Sequence, residues 1–208
     1  MTYFINRNIK IRHVSAFCLI FALTACEQAF ARKQQYEWLS VSNHQQLREL
    51  VNQSDSLITS FKSALHAVQW LGFQSMNVRK MIPDEDARSE FLRTVHYEAM
   101  RFNLDPDLVL AVIEIESGFK AQTVSPVGAV GVMQIMPFWK KVIGQETDAL
   151  HELRTNIRYG CLILRHYLDI ERDETSRALA RYNGSLQDDR YSSRVTYLLS
   201  SKYRFPHD

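Results

Sequence analysis

The chain has 208 residues, 46% of them hydrophobic and 23% charged, with a formal net charge of +2. That length and balance suit one globular domain with a real core and exclude a low-complexity or repeat chain. The small charge leaves no electrostatic footprint for nucleic acid, which is excluded as a partner on those grounds.

The N-terminus reads as a targeting segment. Arg7, Lys10 and Arg12 make a positive n-region, and Val14 to Ala25 is an apolar run too short for a membrane span. Such a secretory signal carries the chain across the inner membrane to the periplasm. Two processing sites compete. Leu23-Thr24-Ala25-Cys26 has the form of a lipobox, with Cys26 lipidated and the product anchored, as in an outer-membrane lipoprotein. Ala29-Phe30-Ala31 fits ordinary cleavage, which makes the signal 1–31 and leaves a soluble protein. The apolar run stops at Cys26, which favours the lipobox and a signal of 1–25. Its removal takes Arg7, Lys10 and Arg12 from the 25 Lys and Arg, leaving 22 against 23 Asp and Glu, so the mature chain is near neutral. Of the three cysteines, Cys18 leaves with the signal, and only Cys161 lies in the folded part. With Cys26 lipidated no intramolecular disulfide is available, and Cys161 reads as a small core residue.

Residues 26–83 form an N-terminal extension. From Asn43, Leu47, Leu50, Val51, Ile58, Phe61, Leu65 and Val68 recur at helical spacing, and Gly72 is expected to end the helix. The segment is too amphipathic for a linker and should pack on the following domain or on a partner. Pro83-Asp84-Glu85 opens the next helix and a domain over residues 84–204, with Phe91, Val95, Ala99 and Phe102 on one face and His96 and Tyr97 packing beside it.

Asp105 caps a third helix, and Pro106 suits its first turn. From Leu108 to Ile115 every residue but Glu114 is apolar, so this helix should be buried on most sides. Yet Glu114 and Glu116 lie in or beside that run. Two residues turn a helix through about 200°, so the two carboxylates face nearly opposite ways. Glu116 sits beside Ser117 and Gly118, where the helix opens. A buried carboxyl holds its proton more tightly, which suits a proton donor. Glu114 reads as structural, paired with an arginine or exposed.

A glycine-punctuated loop follows, with Gly118, Gly128 and Gly131 among the chain's seven glycines and Pro126 between them. Pro137 to Ile143 reads as a short helix stopped by Gly144. Phe138 and Trp139 suit sugar stacking, or the commoner fate of aromatics, the core. Leu153 to Ile170 is a long helix with Ile157, Cys161, Leu164 and Leu168 as its inner stripe. Ser176 to Tyr182 is another, ended by Asn183-Gly184, and Tyr191 to Tyr203 closes the fold. No run reads as a strand. The seven histidines show no metal spacing, and neither a nucleophile elbow nor a phosphate loop is present. No metal and no cofactor is called for.

Three stretches carry a resemblance: Glu116-Ser117-Gly118-Phe119, then Ser125-Pro126-Val127-Gly128-Ala129, then Gly131-Val132-Met133-Gln134-Ile135-Met136-Pro137. With Asn156 and Gly160, and with Tyr182-Asn183, they resemble the soluble (SLT) type of lytic transglycosylase over about residues 90 to 200. Val132 stands where that family usually has Leu, and Tyr182-Asn183-Gly184-Ser185 where it often has Tyr-Asn-Ala-Gly. The resemblance implies a mainly α, lysozyme-like (goose-type-lysozyme-like) catalytic domain acting on peptidoglycan glycan strands. It implies that Glu116 first protonates the MurNAc–GlcNAc glycosidic oxygen and then, as a carboxylate, takes the C6 hydroxyl proton, giving 1,6-anhydro-MurNAc without water. It implies a substrate-binding set of Ser117, Ser125, Gln134, Tyr182 and Asn183: Ser125 and Gln134 match positions that line the cleft and bind the sugar, and Tyr182 matches a tyrosine beside the glutamate. Residue chemistry alone leaves other roles open: backbone bonding within the loop for Gln134, a helix-end cap for Ser117, turn shaping for Asn183. No acidic residue follows Glu116 until Glu146, which suits a one-carboxylate mechanism. The rivals are a hydrolytic muramidase and a non-catalytic wall-binding protein of the same fold.

Overall fold

The computed structural model describes residues 60–206. The signal, the lipobox at Cys26 and the helical pattern before Ser60 lie outside them. Among the described residues seven α-helices follow one another: α1 Ala64–Val78, α2 Glu85–Arg101, α3 Pro106–Ser117, α4 Trp139–Ile143, α5 Leu153–Ile170, α6 Thr175–Asn183 and α7 Arg190–Leu198, the last running into a π turn, Leu199–Tyr203. Among the described residues there is no strand, only isolated bridges from Val130 to Val124 and Ile135. The mainly α reading holds.

The helix starts are written in short polar side chains. Ser63, Asp84 and Asp105 each accept a backbone N–H of their own first turn. Gly118 and Gly184 close α3 and α6 in the left-handed conformation. α3 lies at the centre, with Leu108 to Ile113 buried. α2, α7 and the π turn pack on it, and α5 packs between α2 and α6. Phe91, Val95, Ala99 and Phe102 join this core, as do Ile157, Cys161, Leu164 and Leu168. Trp139 is 1% exposed and belongs to the core, while Phe138 is half-buried.

The N-terminal expectation needs correction at two points. Gly72 does not end its helix, which runs on to Val78. One helix glycine costs only about 1 kcal/mol, and the later turns carry Gln74 and Val78 into the interior. The expected stripe is also misplaced: Leu65 and Val68 are 66% and 70% exposed, and the buried face is Trp70, Gln74 and Val78. The reason is polar. Trp70 Nε1 and Gln74 Nε2 donate to Asp107 Oδ1 at 2.9 and 2.8 Å, and the Phe205 N–H donates to Asp107 Oδ2 at 2.8 Å. One buried carboxyl thus ties α1 and the C-terminal tail to the start of α3. α1 shares the core of the rest of the described chain.

The loop between α3 and α4 is fixed by side chains. Asn156, 1% exposed on α5, accepts from the Met133 N–H and donates to the carbonyls of Val130 and Leu150, each at 2.8 Å. Ser117 Oγ donates to the Val132 carbonyl and Tyr182 Oη to that of Met133, also at 2.8 Å. Glycines allow the approach. A Cβ on Gly131 would stand 2.2 Å from Asn156 Nδ2, and one on Gly160 would stand 2.2 Å from Met133 Sδ.

Asn156→Ala strands one N–H and two carbonyls in the interior. Each unsatisfied group costs about 1–3 kcal/mol, so the variant should lose about 3 kcal/mol or more, or about 10 °C in Tm. Thermal melts check this; a shift within 2 °C, roughly the effect of under 1 kcal/mol, would mean that the amide does not pin the loop.

Candidate active site

Glu116 is the last carboxylate of α3, one residue before the helix ends. It lies beside the rings of Tyr182 and Tyr191 and opens to a cavity of about 390 Å³, lined by Ile115, Asn183, Ser185, Asp188, Arg190, Tyr191 and Arg194 as well as Glu116. Burial raises its pKa from 4.5 to about 7, and a hydrogen bond from Tyr191 partly opposes the rise. That bond, Tyr191 Oη to Glu116 Oε1, is 2.6 Å. No cation contributes to the shift. A larger cavity of about 620 Å³ lies against Lys62, His66, Phe205 and Pro206, but carries no carboxylate. Of these two cavities only the smaller holds a carboxyl whose pKa is raised to about 7.

Glu114 faces the other way, as the helix geometry requires. Its Oε2 accepts from Lys202 Nζ at 2.7 Å and from the Tyr203 hydroxyl. The expected arginine is therefore a lysine. The C-terminal segment crosses α3 so that α7 supplies the tyrosine on Glu116 and the π turn supplies the partners of Glu114.

The other site candidates fall into two groups. Asn183 lines the cavity with Glu116. Ser117, Ser125, Gln134 and Tyr182 hold the loop beside it. Ser117 Oγ bonds the Ile113 and Val132 carbonyls, and Ser125 Oγ accepts the Ala129 N–H at 3.0 Å. Gln134 Nε2 donates to the Gly131 carbonyl at 2.8 Å. Gln134 also has a φ of 50°, unusual for a residue with a Cβ, so its backbone is held in place by the turn. The Tyr182 hydroxyl is spent on the Met133 carbonyl, although its ring lies close enough to Glu116 to feel the charge.

Folding brings to the cavity residues that the sequence did not single out: Ser185, Asp188, Arg190, Tyr191 and Arg194. The available signal was their run at the start of a helix, with Tyr191 and Arg194 three apart and therefore on one face. Nothing local links that face to Glu116. Asp188 is a second carboxylate in the same lining, but Arg190 grips it, Nε to Oδ2 at 2.8 Å. The guanidinium holds Asp188 down at a pKa of about 2. The cavity thus offers one group that holds a proton near neutrality and one that does not. Among the described residues no group of His, Cys, Asp and Glu could hold a metal ion.

With this geometry in hand, similarity to known proteins can be placed on it. The family model described as Transglycosylase SLT domain matches residues 93–202. A transglycosylase of Enterobacteria phage PRD1 is 37% identical over 98 residues, 47% of this chain and 36% of that protein. The membrane-bound lytic murein transglycosylase C of Haemophilus ducreyi is 34% identical over 116 residues, 49% of this chain and 32% of that protein. Its namesake in Actinobacillus pleuropneumoniae is 34% identical over 94 residues, 41% of this chain and 25% of that protein. The chain spans between a quarter and just over a third of the length of these relatives.

Tyr191 donates to the ionised form of Glu116, so its hydroxyl holds that pKa down. Tyr191→Phe should raise it further above about 7, by roughly one unit for a single lost hydrogen bond of about 1–2 kcal/mol. Carboxyl-carbon NMR titration of Glu116 in the two proteins measures the change; a fall would mean that the tyrosine does not stabilise the carboxylate.

Proposed function

The chain belongs to the transglycosylase SLT domain family, and from that premise we propose that it cleaves peptidoglycan glycan strands as a lytic transglycosylase, with Glu116 as acid and then base. The observation that carries this reading is the placement of Glu116: a desolvated carboxyl, its pKa raised to about 7, that faces an open cavity. One group serving first as donor and then as acceptor needs a pKa near the working pH.

Protonated Glu116 gives its proton to the oxygen between MurNAc and GlcNAc as the bond to the MurNAc anomeric carbon breaks. The MurNAc acetamido carbonyl stabilises that carbon. The glutamate, now ionised, takes the proton of the MurNAc C6 hydroxyl, and O6 closes on C1 to form the 1,6-anhydro ring. The proton returns to Glu116, and no water is consumed. Tyr191 steadies the carboxylate between the two transfers. Gln134, Ser125, Ser117, Tyr182 and Asn183 keep the walls of the cleft in place for the sugar.

The hydrolytic alternative needs a second carboxylate to activate water or attack the sugar. Asp188 is placed for consideration, but its pairing with Arg190 and its pKa of about 2 make it a weak base. Product masses separate the readings, because the anhydro product is lighter by one water than the hydrolytic one.

Glu116→Gln keeps the shape and removes the proton. Activity on purified peptidoglycan should fall by roughly 10³-fold, the scale of lost general acid–base catalysis, while Glu114→Gln keeps most of it. The reverse pattern would move the acid to Glu114. In the wild type, kcat/KM should fall with one ionisation as pH rises through about 7. The stability sign runs the same way. A carboxyl with a raised folded pKa adds stability that is full below about 4.5 and lost as pH rises through about 7. Glu116→Gln should therefore melt no lower than wild type above neutrality; a markedly lower Tm there would make Glu116 a paired structural charge.

The signal read in the N-terminal sequence supports a periplasmic site for this activity, with Cys26 as a lipid anchor. The relatives from Haemophilus ducreyi and Actinobacillus pleuropneumoniae carry the words membrane-bound in their names, which supports the anchored form. Cys26→Ser should move the protein out of the membrane fraction or leave its signal uncleaved. A wild-type protein that begins at Arg32 and fractionates as soluble would show that Ala29-Phe30-Ala31 is the true site.

A further inference from the structure

The cavity that holds Glu116 contains two arginines with different circumstances. Arg190 is neutralised by Asp188. Arg194, exposed and one helical turn beyond Tyr191 on the same face of α7, makes no hydrogen bond or ion pair among the described residues. Its charge is felt by the Tyr191 hydroxyl, the group that bonds Glu116. The same wall contains the Ser185 hydroxyl, buried and also without a hydrogen-bond partner. An unpaired guanidinium and an unsatisfied hydroxyl in one cavity lining make an anion-accepting wall.

The proposed substrate has anions to match. A MurNAc residue seated with its glycosidic oxygen at Glu116 carries a lactyl ether on O3, next to the carbon that bears the acetamido group. On a bare strand that lactyl group ends in a carboxylate. On a strand with its stem peptide the lactyl carboxyl is an amide, and the carboxylates lie along the peptide. A guanidinium suits either, because its planar fork matches a carboxylate.

We propose that Arg194 is a specificity determinant that docks a carboxylate of the substituent on MurNAc O3, and so distinguishes MurNAc from a neutral sugar at the cleavage site. This rests on the transglycosylase reading above. Arg194 takes no part in proton transfer, so its contribution appears in KM.

The test compares wild type, Arg194→Gln and Arg194→Lys on three substrates: peptide-bearing glycan strands, strands stripped by an amidase, and strands whose carboxylates are capped as methylamides. On an uncapped substrate Arg194→Gln should raise KM roughly five-fold with kcat unchanged, the scale of an exposed ion pair. Arg194→Lys should recover part of the loss, and the difference from wild type should shrink at high salt. On capped strands wild type and Arg194→Gln should converge. A loss confined to peptide-bearing strands identifies a stem-peptide carboxylate, and a loss on stripped strands identifies the lactyl carboxylate; both support the proposal. Equal kinetics of wild type and Arg194→Gln on all uncapped strands would overturn it, as would the same loss on capped strands. Wild-type KM with and without capping gives a reading that needs no variant, and an unchanged value there also overturns it. The same digests are scored for anhydro ends in wild type. Their absence withdraws the transglycosylase reading; their presence with no Arg194 effect withdraws only this inference.

Discussion

The loop between α3 and α4 bonds much of its own backbone, and side chains from three helices take groups that it leaves over. Its stretch from Ala129 to Ile135 is largely buried, so N–H and C=O groups there must find partners. Asn156 on α5 supplies two of them, for the Met133 N–H and the Val130 carbonyl, and also binds the Leu150 carbonyl of the next connection; Ser117 supplies one from α3 and Tyr182 one from α6. The loop is therefore held at three points, on three helices that also pack against one another or through α7. Gly131 and Gly160 are small because the contact is close: a side chain at either position would fall on Asn156 or Met133. The rigidity of the cleft wall is a consequence of this clamp.

The same helix, α3, separates two carboxylates by its pitch and gives them opposite electrostatics. Glu114 meets Lys202 and stays with a cation. Glu116 meets a neutral hydroxyl and no cation, so desolvation by burial prevails and its pKa is raised to about 7. Both partners come from one C-terminal segment lying across α3. Asp188 shows the third possibility in the same cavity, a carboxylate beside a guanidinium, and its pKa moves the other way. Environment, and not residue type, sorts the three.

The N-terminal helix follows a polar contact where its apolar pattern pointed elsewhere. Asp107 is 1% exposed and draws Trp70, Gln74 and the Phe205 amide onto itself. A buried carboxyl without partners is costly, so satisfying it fixes the rotation of α1, leaving Leu65 and Val68 outside. Hydrophobic spacing marked a helix over Leu65 to Gly72, but neither its start at Ala64, which leaves Phe61 outside, nor its inner face.

What the sequence determined by itself was local. Short-range rules gave the helices from Asp84 onward, the cap at Asp105, the end of α6 at Gly184, and the opposite facing of Glu114 and Glu116. Each depends on residues within a turn or two of one another, where propensity, capping and a fixed helical pitch decide. The motif stretch also carried its family, over nearly the same residues that the family model matches. The tertiary structure decided everything that joins distant segments. Tyr191 meets Glu116 across 75 positions, Tyr203 meets Glu114 across 89, and Trp70 meets Asp107 across 37. No periodicity encodes such pairs, because they depend on how whole helices cross. For that reason Asp188, Arg190 and Arg194 could be read from sequence only as charges on a helix start, while their place in the cavity of Glu116 follows from the crossing of α7 over α3.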